Sequence, residues 1–195
     1  MKRLLLNISL AVWFVIWAPL ILLALPSKKL SRKFLVSIAW GIIFIARIIG
    51  GIKYKIHNYR LPTAVPAFAG MTNNRLPIIA SKHMSMLETA ILGAHIPNVF
   101  FIMKRELMWI PIYGWNFWRI GLQPVDRAAG ATNMNKLCAS VKNKIDAGMT
   151  LAIFPEGTRT KPGQKIKLKR GLLFIAEKLH YRTYWAEKFG TLILS

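Results

Sequence analysis

An uncharged, strongly apolar run from Leu4 to Leu25 constrains this chain more than any other feature. About 20 such residues suffice to cross a bilayer as a helix. A helix that is apolar all round needs either a large protein core or a membrane to cover it. Lys2 and Arg3 precede the run, and Lys28 and Lys29 follow it. Basic residues on both sides leave its orientation open. Pro19 and Pro26 are expected to kink or end the helix. A cleaved signal peptide is the competing reading. The length of the run and the lack of a small-x-small site before a polar segment count against it. A second apolar stretch, Phe34 to Ile52, is interrupted by Arg47. A charge at the bilayer centre is costly. This stretch therefore reads as a helix that returns to the surface, or one lying in the interface with Arg47 snorkelling. Residues 1–52 form the expected membrane-anchoring pair, and 53–195 the expected α/β domain.

Charge narrows the choice of partner. The chain carries 28 Lys and Arg against 7 Asp and Glu, a net charge of +21, yet 54% of its 195 residues are hydrophobic. Such a chain is drawn to polyanions. The apolar N-terminus favours an anionic lipid surface, where each nearby Lys or Arg contributes about 1 kcal/mol. A nucleic-acid reader would show a binding motif or an aromatic stacking platform, and neither is found, so no nucleic-acid partner is expected. The single cysteine, Cys138, excludes an internal disulfide, and without a Cys/His cluster no metal site is expected. Cys138 lies on an apolar stripe with Met134, Leu137, Val141 and Ile145 and reads as a small buried hydrophobe.

Beyond the anchor, strands and helices alternate. Lys53–Asn58 reads as a short strand. Arg60-Leu61-Pro62 recurs as Arg75-Leu76-Pro77 around TAVPAFAGMTNN, which reads as a surface-loop insertion without a catalytic role. Strands are expected at Leu76–Ser81, Asn98–Met103, Gly121–Val125 and Met149–Phe154. Helices are expected at Ser85–His95, Thr132–Ala147 and Lys169–Leu179, with a further helical piece ending in GWNFWRIG. The alternation predicts an α/β fold, a mixed sheet flanked by helices, with the N-terminal helical pair attached to the membrane.

Two strings sit where such folds place their chemistry, at strand ends. The first is Ser81-Lys82-His83-Met84-Ser85-Met86-Leu87-Glu88, an H-x4-E pattern at a strand-to-helix junction. A histidine there can act as a general base near neutral pH. A carboxylate one and a half turns on can reach back to fix its tautomer. Taken alone, a helix cap at Ser85 beside an incidental histidine explains the string equally well. The second is Phe154-Pro155-Glu156-Gly157-Thr158-Arg159, directly after an apolar strand. It combines a tight turn with a carboxylate, a hydroxyl and a guanidinium suited to phosphate.

Together these strings resemble the glycerolipid acyltransferase family, specifically bacterial 1-acyl-glycerol-3-phosphate acyltransferases. The family's H-x4-D block is matched by His83 to Glu88, with Glu in place of the commoner Asp. Its F-P-E-G-T-R block is matched without change by Phe154 to Arg159. A middle block is matched by Lys104 to Leu107, Pro111 and Gly114, and the Asp126-Arg127 pair also fits. The resemblance implies that His83 takes the proton of a lipid hydroxyl and that Glu88 orients His83. It implies that Glu156, Gly157, Thr158 and Arg159 hold a glycerol phosphate, with Lys104 and Arg105 adding positive charge. The implied acceptor is lysophosphatidic acid, a membrane lipid. The implied donor is acyl-CoA or acyl carrier protein, with no cofactor. The implied place is the bacterial inner membrane, with the active site facing the cytoplasm. The aromatic segment Trp109, Tyr113, Trp115, Phe117 and Trp118 reads as an acyl groove, an interfacial surface or plain core.

The resemblance lapses after Leu179. The family's fourth block, an apolar strand with two prolines, has no counterpart in HYRTYWAEKFGTLILS. The sequence therefore predicts a missing C-terminal strand, an unpaired sheet edge and Tyr184-Trp185 as a remnant. An inactive relative of the family, or an acyltransferase for another lipid acceptor, are the alternatives this raises.

Overall fold

A computed structural model describes residues 2–55, 78–126, 130–160, 164, 170–179, 183–185 and 193–194. The repeat around Thr63 lies outside them. The chain divides into two compact units that interleave along the sequence. The first comprises 1–53, 85–97 and 101–128, so the N-terminal helices share a unit with later segments.

In this first unit, α1 (Lys2–Ala24) runs through Pro19 and stops before Pro26, because the residue before a proline is pushed out of the helical region. Among the described residues α1 is the one helix long and apolar enough to cross a membrane. Ser27 caps α2 (Lys28–Ile48), its side chain accepting from the Leu30 N–H at 3.3 Å. The Ser31 hydroxyl donates to the Ala24 carbonyl at 2.9 Å and ties the hairpin shut. Ile38, Ile42 and Ala46, with Ala39 and Ile43, form the buried stripe of α2 at helical spacing. Arg47 lies exposed. Trp13 packs on α2 and donates its indole N–H to the Ile38 carbonyl at 3.3 Å. The unit continues with α3 (Leu87–His95), the last part of β3 (Val99–Lys104), a 3-10 turn (Arg105–Trp109), α4 (Tyr113–Ile120) and β4 (Gln123–Val125). The strands pair in parallel, with Ile102 opposite Gln123.

The second unit holds β1 (Tyr54–Lys55), β2 (Ile78–Ala80), the start of β3, α5 (Gly130–Asp146), β5 (Thr150–Ile153), α6 (Arg170–Leu179), β6 (Thr183–Trp185) and β7 (Ile193–Leu194). Strand order here is β3-β5-β2-β6. β2 pairs in parallel with β5 on one side and β6 on the other, with Ala80 opposite both Ile153 and Trp185. Ile78, Ala80, Leu151 and Ala152 are buried at the sheet centre, as parallel strands covered on both faces require. β1 and β7 form a separate antiparallel pair.

One expectation is overturned. The sequence predicts an unpaired sheet edge where the family's two-proline strand is missing, yet Thr183–Trp185 pairs along β2 and occupies that edge. The β-branched and aromatic side chains of Thr-Tyr-Trp suit a strand, but three residues are too few to show a period in sequence.

Cys138 is 1% exposed on α5, beside Leu137 and Val141. Burial pushes its thiol up, against the opposing pull of the Lys178 ammonium. Since the thiolate is the nucleophile, maleimide is expected to leave the folded protein unlabelled and to react fully once denaturant is added. Mass spectrometry of the two samples checks this.

Candidate active site

The first string begins directly after β2 and the second follows β5, so Ser81–Met84 and Phe154–Arg159 lie at the carboxyl ends of adjacent parallel strands in the second unit, whereas Ser85–Glu88 belong to the first. Open α/β sheets bind ligands at this end. The Ser81 N–H donates to the Ile153 carbonyl at 3.0 Å and carries the ladder one residue past β2.

Beyond β5 the chain reverses at once. The Gly157 N–H donates to the Phe154 carbonyl at 3.0 Å, closing a β-turn with Pro155 and Glu156 as its central residues. Proline at the first central position fixes φ for such a turn, and glycine is favoured at the last position. Gly157 has φ +67, a conformation that other residues adopt only under strain. The turn brings Glu156 back toward β2. Its carboxylate, in a residue 7% exposed, accepts the His83 backbone N–H at 2.7 Å.

The same loop holds His83 at two further points. The Thr160 N–H donates to the His83 carbonyl at 2.7 Å, and the Thr160 hydroxyl donates to it at 3.3 Å. The imidazole stacks on the Phe154 ring with centroids 4.2 Å apart and planes at 22°. Residues 154–160 therefore grip the N–H, the carbonyl and the ring of His83. Thr158 and Arg159 stand exposed on this loop, leaving a hydroxyl and a guanidinium open to a ligand.

The other expected site residues belong to the first unit. Glu88 is 2% exposed in the first turn of α3. Its carboxylate accepts the Ser85 N–H at 2.8 and 2.9 Å and the Ser85 hydroxyl at 2.7 Å, while Ser85 Oγ accepts the Leu87 N–H at 3.0 Å. These bonds tie Ser85 to Glu88 just ahead of α3 in the manner of an S-x-x-E capping box, although the N-cap itself is Met86 and Ser85 Oγ takes the Leu87 rather than the Glu88 N–H. Lys104 is exposed at the end of β3. Arg105 is also exposed, with its guanidinium 3.9 Å from the Asp126 carboxylate, a surface pair of small energetic weight.

The sequence missed Thr160 and the stacking role of Phe154. Phe154 stood inside the recognised string. Nothing in the local sequence marked Thr160, because its partner lies 77 positions away.

The profile of the acyltransferase family matches residues 55–193. The chain belongs to the acyltransferase family. A 1-acyl-sn-glycerol-3-phosphate acyltransferase of Pseudomonas aeruginosa is 29% identical over 129 residues, covering 66% of this chain and 46% of the relative. One from Helicobacter pylori is 38% identical over 109 residues, covering 54% and 45% respectively. The chain thus spans about half the length of these relatives. The crystal structure of the 1-acyl-sn-glycerophosphate acyltransferase of Thermotoga maritima shares the fold. Its TM-score is 0.68 at 19% identity, covering 94% of the present chain and 73% of that one.

Proposed function

We propose that this acyltransferase moves a fatty acyl group from a thioester donor, acyl-CoA or acyl carrier protein, to the sn-2 hydroxyl of lysophosphatidic acid, forming phosphatidic acid. The names of its relatives give the acceptor. One geometric observation carries the chemistry: the F-P-E-G-T-R loop holds the backbone and ring of His83 at a strand end.

In this reading the His83 imidazole takes the proton of the acceptor hydroxyl as its oxygen attacks the thioester carbonyl. The C–S bond then breaks, and the proton passes from the imidazolium to the departing thiolate. Glu88 is assigned the orienting role by its place in the pattern. Glu156 acts through the His83 backbone. A carboxylate would repel a phosphate, so phosphate binding falls to Arg159 and Thr158, with Lys104 and Arg105 as further cations. The α1–α2 pair would keep the enzyme at its lipid substrate, in a bacterial inner membrane with the site on the cytoplasmic side. The inactive alternative draws its support from the missing fourth block; β6 pairs along the edge of β2 but brings neither of that block's two prolines.

The test is transfer of a labelled acyl group to lysophosphatidic acid, from acyl-CoA and then from acyl carrier protein. It uses membranes that lack other such activity. Labelled phosphatidic acid is the expected product. No transfer from either donor by folded protein would overturn the reading.

A further inference from the structure

Exposed apolar side chains are unevenly placed. Among the described residues, every exposed large hydrophobic except Phe174 lies in the first unit. Many belong to α1. Trp115 and Trp118 belong to α4 and are 56% and 73% exposed. Contiguous exposed apolar surface marks an interaction site, and these two indoles line an open groove with Leu25, Pro26 and Arg119.

Reciprocal hydrogen bonds join this face to the α1–α2 turn. Arg119 donates to the Leu25 and Pro26 carbonyls at 2.9 and 2.7 Å. Arg32 donates to the Ile120 carbonyl at 3.0 Å. Further along α1, the Tyr113 hydroxyl donates to the Phe14 carbonyl, and the two rings meet edge to face at 5.4 Å. The indoles therefore stand at a set place beside a helix of membrane-spanning length. They also stand beside positive charge: Lys28, Lys29 and Lys33 are exposed at the start of α2, and no acidic residue occurs before Glu88.

We propose that Trp115 and Trp118, with the basic α1–α2 turn, form a second membrane contact that docks on an anionic phospholipid bilayer. The indoles sit at headgroup depth while the lysines face lipid phosphates. Tryptophan favours that depth because its ring is apolar and its N–H is polar. Lysines beside it add attraction to anionic lipid. A protein partner is disfavoured by continuity with α1 and by the cationic residues of the adjoining α1–α2 turn. The proposal rests on the reading that α1 holds the chain at a membrane, and the test separates the two.

An environment-sensitive dye is placed on Trp118→Cys in a Cys138→Ser background. The full chain is then reconstituted into phosphatidylglycerol–phosphatidylcholine vesicles with chains brominated near the headgroup. The same dye on Val15→Cys reports α1, and on Lys142→Cys it reports an exposed site on α5. The dye at position 118 is expected to shift to the blue and to be quenched. The shift should shrink when phosphatidylglycerol is omitted, while position 142 stays in water. A dye at 118 that emits as in water while the one at 15 is quenched would overturn the proposal. A dye at 15 that stays in water would overturn the membrane reading and the proposal with it.

Discussion

Replacing His83 by alanine is expected to lower acyl transfer by about 100- to 10,000-fold, the usual contribution of a positioned general base. Folding should survive, because the hydrogen bonds to the loop are made by the His83 backbone. Glu156 separates two roles. If its carboxylate positions His83, Glu156→Ala removes a charge-assisted hydrogen bond worth about 1.5–3 kcal/mol and strands a backbone N–H. The expected result is a fall in kcat of about 10- to 100-fold, with KM for lysophosphatidic acid almost unchanged. Glu156→Gln keeps an acceptor oxygen at the same reach and should recover most of the rate. If Glu156 instead holds the glycerol phosphate, both variants should raise KM, and Gln should not rescue. Steady-state kinetics of the three variants over a range of acceptor concentrations decides between these outcomes. Arg159→Ala supplies the contrast, since loss of a phosphate-binding guanidinium should appear mainly in KM.

The strings proposed to carry this chemistry were legible in the sequence because they are local: a strand, a turn and a helix start in consecutive residues. Their mutual grip was not. Sequence placed Glu156 with the phosphate, whereas its carboxylate meets the backbone of a residue 73 positions earlier. The first helix was legible for the same local reason, including its stop before Pro26, whereas α2 starts at Lys28, ahead of the apolar stretch read from Phe34. The grouping of the N-terminal pair with α3 and α4 depends on tertiary packing, which period and composition do not encode. Thr183–Trp185 shows the limit from the other side: a strand this short exists because β2 offers it a ladder. Glu88 was read as an orienting carboxylate, with a cap at Ser85 as the plain alternative. The hydrogen bonds between these two residues give the plain reading a physical basis of its own, with Met86 rather than Ser85 at the cap position.

The middle block gives the sharpest contrast between pattern and cause. Its glycine, Gly114, makes no contact that sequence would suggest. A Cβ added there would lie 2.0 Å from the Met108 carbonyl oxygen and 2.5 Å from its carbon. Those atoms are backbone and cannot rotate away. The turn is already constrained: Ile112 has φ +67, uncommon for a β-branched residue, and the Gly114 N–H donates to the Ile110 carbonyl at 2.7 Å. Gly114→Ala is therefore expected to displace α4 from the 3-10 turn and to cost about 3 kcal/mol, the upper range for overpacking. For a chain of this size that corresponds to roughly 6–12 °C in Tm. Gly93, inside α3, is the control, because a Cβ there meets nothing within 4 Å. Gly93→Ala should stabilise by about 1 kcal/mol through helix propensity alone. Thermal unfolding in detergent, followed by circular dichroism, compares the two. Opposite signs are expected, and a Gly114→Ala protein that melts with the wild type would show that the turn tolerates a side chain after all.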